Sequence, residues 1–319
     1  MKARAGCFPV IAMAGLCVLA GAHAQDFPTK PVRILATEAG GGGDIVSRLI
    51  APELTAVWGK QVIVDNRTSV VANEMTAKSP PDGHTLLINS SSLWLWQYLR
   101  SDARWDAVKD FAPVTWAIRQ PNILVVHPSL PVTTLRGLIS LAKSRPGDLN
   151  YATGVIGATT HLAAELFCTM AGINVVRIYY KGTAPAMNGL IAGQVHMMFP
   201  NAASATPLVK TGRLKALAVT TAQPTALAPG LPTMTSAGVP GYEAETVLGI
   251  FAPGGTPPAL VNAIHQEIAR ALNKQEVKDR LFNIGIEVMA GTPEQMSGVM
   301  KMEMSKWGKV IKDAGIRLD

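Results

Sequence analysis

Four consecutive glycines, Gly40-Gly41-Gly42-Gly43, stand between two segments of different periodicity. Before them, Val32-Arg33-Ile34-Leu35-Ala36 is an apolar run of strand length. After them, Ile45, Val46, Leu49, Ile50, Leu54 and Val57 recur at helical spacing. The chain is therefore expected to open on a strand, a glycine turn and a helix. Four glycines in a row are costly in backbone entropy, so they imply positive φ or a close approach of the backbone to another group. Asp44 suits the N-cap of the helix, where its side chain accepts from an unpaired amide. Bare amides at a helix N-terminus attract an anion, most simply a carboxylate. An ordinary strand-to-helix turn that binds nothing fits the same residues. The run is not a dinucleotide fingerprint, because no G-x-G-x-x-G spacing is present, and not a P-loop, because no Gly-Lys-Ser/Thr follows.

The start of the chain reads as an address. Lys2 and Arg4 make it basic, residues 8–20 are apolar but short for a membrane span, and Ala22-His23-Ala24 matches an A-x-A cleavage site. Residues 1–24 are expected to be a secretory signal peptide cut after Ala24, which sends the chain to the periplasm. Cys7 and Cys17 would leave with the leader, so Cys168 alone remains and no intrachain disulfide can form. Losing Lys2 and Arg4 lowers the formal charge by two from +7. That is mildly basic and dispersed, which favours anionic ligands and does not resemble a nucleic-acid footprint. The 319 residues, 48% hydrophobic and 16% charged, suffice for two lobes.

Strands are expected at residues 61–65, 85–88, 122–127, 149–152, 175–179, 195–199, 214–220 and 247–251. Helical periodicity falls between them and fills 259–272, 276–283 and 293–314. This alternation implies an α/β chain with parallel sheets. Residues 222–241, rich in Pro, Thr, Gly and Ala, read as an extended connection. Several strand ends carry small polar loops, where ligands of α/β sheets gather. Ser90-Ser91-Ser92 follows one strand. A second glycine unit, Thr153-Gly154-Val155-Ile156-Gly157-Ala158-Thr159-Thr160, precedes a helix carrying His161, and Tyr180-Lys181-Gly182-Thr183 ends another strand. Trp94 and Trp96 follow the serines, and core packing suits at least one of them. Tyr180 is a candidate contact through ring and hydroxyl, whereas Lys181 in such a turn is more often solvated.

In order along the chain stand Pro28-Thr29-Lys30-Pro31-Val32-Arg33, Gly40-Gly41-Gly42 with Asp44, Val64-Asp65-Asn66-Arg67 and Pro81-Asp82-Gly83-His84-Thr85. They are followed by Asp110-Phe111-Ala112-Pro113-Val114, His161-Leu162-Ala163-Ala164-Glu165-Leu166-Phe167 and Tyr180-Lys181-Gly182-Thr183-Ala184-Pro185-Ala186. Gly193-Gln194-Val195, Leu217-Ala218-Val219-Thr220, Pro240-Gly241-Tyr242-Glu243 and Ala252-Pro253-Gly254-Gly255-Thr256-Pro257 complete the series. Each is weak alone, but the ordered set resembles the Bug-type substrate-binding proteins of tripartite tricarboxylate transporters over nearly the whole mature chain.

The resemblance implies a two-lobed type II periplasmic binding protein fold, with two parallel-type sheets and a hinge of two crossing strands. Residues 25–124 plus 247–319 would form lobe 1 and residues 125–246 lobe 2. It implies a monomeric receptor that binds a small organic acid between the lobes and delivers it to the membrane permease subunits, with no catalysis, cofactor, metal or nucleic acid. On the family pattern, the ligand carboxylate is held by backbone amides and ordered water at the first glycine loop. The residues carried over or marked for the cleft are Thr37, Glu38, Gly40, Gly41, Gly42, Asp44, Ser90, Ser91, Ser92, Trp94, Gly157, Thr159, Thr160, His161, Tyr180, Lys181, Gly182 and Asn201.

The chain also departs from that pattern. Thr37-Glu38-Ala39 replaces a Phe-Ala-Pro run, and a Glu there would repel a carboxylate unless turned outward or paired. The segment after Arg67 lacks a glycine-rich stretch, indoles occupy the loop after Ser92, and Phe199-Pro200-Asn201 lacks the usual Asp. This balance suits an aromatic or flat monocarboxylate, or a carboxylate bearing an amide or amine. Two other readings stand beside transport: a ligand sensor for a membrane signalling partner, and a hydrolase using Ser90, Ser91 or Ser92 with His84 or His161. The hydrolase lacks a G-x-S-x-G elbow, and His127, His196 and His265 stand apart in sequence.

Overall fold

The computed structural model describes residues 27–37, 39–100, 102, 104–313 and 316. The expected signal peptide with its cleavage point and Glu38 lie outside the described residues.

The chain opens as β1 (Val32–Ala36), α1 (Gly42–Trp58), β2 (Val62–Asn66), α2 (Ser69–Ala77) and β3 (Thr85–Asn89). Two short helices, α3 (Ser91–Trp94) and α4 (Trp96–Leu99), lead to the long β4 (Phe111–Pro121). Then come β5 (Ile123–Val126), α5 (Leu135–Ser144), β6 (Asn150–Thr153), α6 (Thr159–Ala171), β7 (Val176–Tyr179) and α7 (Thr183–Ile191). They are followed by β8 (Met197–Met198), α8 (Ala202–Lys210), β9 (Lys215–Val219) and α9 (Met234–Ala237). The long β10 (Glu245–Pro253), α10 (Pro258–Leu272), α11 (Gln275–Asn283), β11 (Glu287–Gly291) and α12 (Pro293–Asp313) close the chain.

Two sheets result. The first has six strands in the order β11-β4-β10-β3-β1-β2, and the second five in the order β7-β6-β8-β5-β9. Each is mixed rather than purely parallel. β2, β1 and β3 are mutually parallel, as are β7, β6 and β8, but β10 runs antiparallel to β3 and β4, and β5 antiparallel to β8 and β9. The reason is the crossing: β4 carries the chain out of the first sheet and β10 brings it back beside it, from Glu245 opposite Pro121 to Pro253 opposite Phe111. β4 ends at Pro121 and β5 starts in the second sheet at Ile123.

Asn122 pins the crossing. Its amide donates to Thr220 Oγ1 (2.9 Å), its Nδ2 to Ala244 O (3.2 Å), and its Oδ1 accepts from Thr246 Oγ1 (2.9 Å). Tyr242, fully buried, donates its hydroxyl to Ala163 O at 2.7 Å and bolts the return segment to α6.

Strand residues alternate between cores on opposite faces, as the two-residue period demands. Ile34 and Ile88 join Val46, Ile50, Leu54, Ile264 and Ile268 under α1 and α10, while Leu35 and Leu87 face Trp94, Met296 and Trp307. In the second sheet Ile123 and Val125 face α7 and α8, and Leu124 and Val126 face the larger core. Covered on both faces, such strands read as unbroken apolar runs. Two strands the sequence did not announce are β4, interrupted by Pro113, and β11. Among the described residues no helix is long and apolar enough to cross a membrane.

Candidate functional site

The C-terminal ends of four parallel strands converge between the sheets. Thr37 follows β1, and Arg67, Thr68 and Ser69 follow β2; Gly154, Val155 and Ile156 follow β6, and Lys181 and Gly182 follow β7. With Ala39, Asn66, Val70, Trp96 and Tyr179 they line a cavity of about 300 Å3. Crevices beyond the carboxyl ends of parallel strands are the usual ligand sites of such sheets. A larger groove of about 910 Å3, walled by Phe27, Trp58 and Leu260, lies against α1 and α10 away from these ends. The smaller cavity is the candidate site, because the glycine turns and strand ends of both sheets meet there.

The first glycine turn is held from behind. Gly41 is the N-cap of α1, not Asp44 as expected, because the helix starts at Gly42. Asp44 instead reaches back to accept from Gly40 N (3.1 Å), and also takes Arg48 Nε (2.9 Å) and Asn66 Nδ2 (3.0 Å). It is spent on the loop's shape. Gly40 has φ +75°, and Gly42 is pressed so close to Gln120 that an added Cβ would lie 2.3 Å from Nε2.

Ser90, Ser91 and Ser92 are all buried. Ser92 Oγ donates to Asn89 Oδ1 (2.8 Å) and accepts from Ser69 Oγ (3.0 Å), so it braces the cavity wall from beneath. Asn89, which heads the same polar run but was not among the marked contacts, is the hub: its Nδ2 donates to Asn73 Oδ1 at 2.7 Å and its Oδ1 accepts from Ser90 N at 2.7 Å. Ser91 crosses to the other sheet's side, donating to Gly157 O (3.0 Å) and lying 3.0 Å from Thr159 Oγ1.

The opposite wall is two glycine turns in backbone contact. A Cβ on Gly154 would lie 2.4 Å from the Gly182 carbonyl carbon, and Gly182 has φ +118°. Behind this wall His161, fully buried, accepts from Gly157 N at Nδ1 (3.2 Å), which leaves its proton on Nε2, 3.4 Å from Glu165 Oε1. Burial holds the imidazole below its ordinary value and therefore neutral. Glu165 also meets Tyr151 Oη and Arg177 (3.0 Å). Burial pushes its carboxyl up, but His161, Tyr151 and Arg177 together outweigh that and hold it at about 2.

Of the residues marked from sequence, Thr37, Lys181 and Gly182 line the cavity. Gly40, Gly41 and Gly42 form the turn beside it, and Ser91, Gly157 and Thr159 meet across the cleft. Thr160 is buried in the first turn of α6. Asn201 is buried as the N-cap of α8 beside Asn122. Three expectations fall elsewhere. Trp94 is core, 1% exposed and 6.1 Å from Phe251, whereas Trp96 lines the cavity. Two positions apart along these helical turns, the two indoles point to opposite sides. Tyr180 packs over Gly189 of α7, with its hydroxyl 3.4 Å from Gln194, so Tyr179 takes its place at the cavity. His161 sits behind the wall. The sequence signal for Asn66 and Arg67 was their position just past a strand end.

The two charged groups among the described lining residues, Arg67 and Lys181, are both cationic. Arg67 pairs with Asp65 at 3.0 Å. Among the described residues no group of three or more His, Cys, Asp or Glu side chains is placed to hold a metal.

A two-sheet crevice of this kind acquires a lineage from the model of the tripartite tricarboxylate transporter family receptor, which matches residues 46–316. The chain belongs to this family. As a receptor of that family it is a periplasmic-type solute-binding protein and not an enzyme. Its fold matches an R. palustris protein solved with adipate, at TM-score 0.87 and 37% identity over 92% of this chain and 100% of that one. MatC from Rhodopseudomonas palustris, solved with bound malate, gives TM-score 0.86 at 28% identity over 89% of this chain and 100% of that one. Protein BugT of Bordetella pertussis is 31% identical over 97% of this receptor and 96% of its own length.

Proposed function

We propose that this receptor captures a small carboxylate in the cleft between its sheets and delivers it to a tripartite tricarboxylate-type permease in the membrane. Each sheet carries one jaw; the expected boundaries at 124/125 and 246/247 would cut through β5 and β10, so the jaws divide at the crossing instead, before Ile123 and before Glu245. The carrying observation is the sign of the lining: Arg67 and Lys181 are its described charged groups, placed beside glycine turns. Gly40, Gly157 and Gly182 donate their amides inside the protein, and the amides at the start of α1, beyond its N-cap Gly41, are the ones a carboxylate would use. The adipate and malate held by two structural relatives point to the same ligand class.

Trp96 and Tyr179 refine the class, since both rings border the cavity. An aromatic or otherwise flat acid would lay its ring on Trp96 and its carboxylate toward Lys181. The test is a melting-temperature screen of aliphatic and aromatic carboxylates, with adipate, malate and benzoate as first members. Saturation at about a hundred times Kd adds roughly 2.7 kcal/mol, a shift of several degrees. Trp96→Ala should weaken an aromatic acid about three- to tenfold and leave a short aliphatic acid nearly unchanged. Equal effects on both would remove the aromatic preference, and no shift with any acid would remove carboxylate capture.

A further inference from the structure

Two serine hydroxyls cross the cleft in opposite directions. Ser91, from the first-sheet side, donates to Gly157 O on the second-sheet side at 3.0 Å. Ser204, from α8 on the second-sheet side, donates to Gly40 O on the first-sheet side at 3.0 Å. Neither serine lines the cavity, yet each acceptor lies one residue from a lining residue, Ile156 and Ala39. Both acceptors are glycines with positive φ, +77° and +75°, which costs other residues strain. Close packing accompanies both bonds. A Cβ on Gly157 would lie 3.0 Å from Leu99 Cδ1, and one on Gly40 would lie 3.4 Å from Ala184 Cβ.

The two acceptors are held rigidly from their own sides. Gly40 N donates to Asp44, and Gly157 N to His161, which rests on Glu165; Glu165 is in turn held by Arg177 and Tyr151. A hydrogen bond between rigid jaws forms only while they are together, so its net strength falls wholly on the closed population.

We propose that Ser91 and Ser204 are reciprocal latches that set the closed fraction and the residence time of the ligand, with His161 as the positioning residue for the Ser91 latch. The link to residence time rests on the reading of the cleft as the ligand site; the latching itself does not. Removing one net hydrogen bond changes the open-to-closed ratio about two- to tenfold.

The test is a spin-label distance measurement on the full protein without added ligand. Labelled cysteines replace the exposed Lys143 and Asp279, one in each half, with Cys168→Ser as background. Ser91→Ala and Ser204→Ala should each raise the open-to-closed ratio two- to tenfold, and the double variant should raise it further. His161→Asn, which keeps an acceptor near Nδ1, should retain the short distance. His161→Ala, checked as folded by circular dichroism, should lose it as Ser91→Ala does. A double variant whose distances match wild type overturns the latches. A His161→Ala that is folded and closed removes the positioning role. Adding adipate, malate and benzoate in turn separates the two ideas: variants that open while wild type responds to none of the three leave the latches standing and defeat carboxylate capture.

Discussion

Gly154→Ala is the sharpest test of how the second wall is built. The added Cβ would lie 2.4 Å from the Gly182 carbonyl carbon and 2.6 Å from both Gly182 O and Thr183 N. All three are backbone atoms, so no rotamer change relieves the clash. Gly182 N donates to Gly154 O at 3.1 Å, and Gly182 is already at φ +118°, so the turn has little freedom to yield. Restoring ordinary contact requires the β6 and β7 ends to part by roughly 1 Å, a strain on the order of 1–3 kcal/mol. For a chain of this size that is a fall in melting temperature of about 2–10 °C. Because both glycines line the cavity, ligand affinity should fall with it. Thermal melts and calorimetric titration of the variant read both effects. The control is Gly298→Ala, in the interior of α12 with open space at Cβ, which should stabilise by about 0.5–1 kcal/mol. A Gly154→Ala protein that melts and binds like wild type would refute the argument from backbone contact.

Three further outcomes follow from the same geometry. Trp94→Ala should cost about 3–5 kcal/mol, because a fully buried indole is removed, with its effect read in melting rather than in ligand selectivity. Asn122→Ala should cost about 1–3 kcal/mol in urea unfolding, since it strips a buried partner from Thr246 and from Ala244 O at the crossing. Acid should destabilise in two stages, read as melting temperature against pH. His161 is held below 6.5, so stability is complete above that pH and falls as pH drops toward the folded value. Glu165, at about 2 against an ordinary 4.5, contributes stability that is complete above pH 4.5 and lost as pH falls toward 2. Glu165→Gln should erase the lower stage, and an unchanged profile would contradict the buried cluster.

Much of the scaffold was legible because it obeys simple periods. The apolar positions of α1 and the glycine run before it place the first turn without any tertiary information. β4 was hidden because Pro113 interrupts it and its two faces are both largely covered, so neither alternation nor an unbroken apolar run marks it. The cleft loops were legible as small polar residues after strands, but not which side chain faces in. Tyr179 and Tyr180 are adjacent at a strand end, and only the packing of Tyr180 on Gly189 decides between them. Trp94 and Trp96 part because positions two apart on a helical turn face opposite ways, and only the packing of Trp94 on Phe251 decides which of them is core. Asp44 and His161 were marked for the cleft and Asn89 was not; all three are buried polar supports that hold the turns.

The most direct measurement is the identity of what the receptor carries. The protein is exported, purified without denaturant, unfolded, and the released small molecules are identified by mass spectrometry. The acid found is then titrated by calorimetry into wild type and Lys181→Met. The expected result is a released carboxylate that binds one per chain and is weakened by loss of Lys181. A neutral or cationic ligand, or a carboxylate that Lys181→Met and Arg67→Met each bind as tightly as wild type, would contradict it.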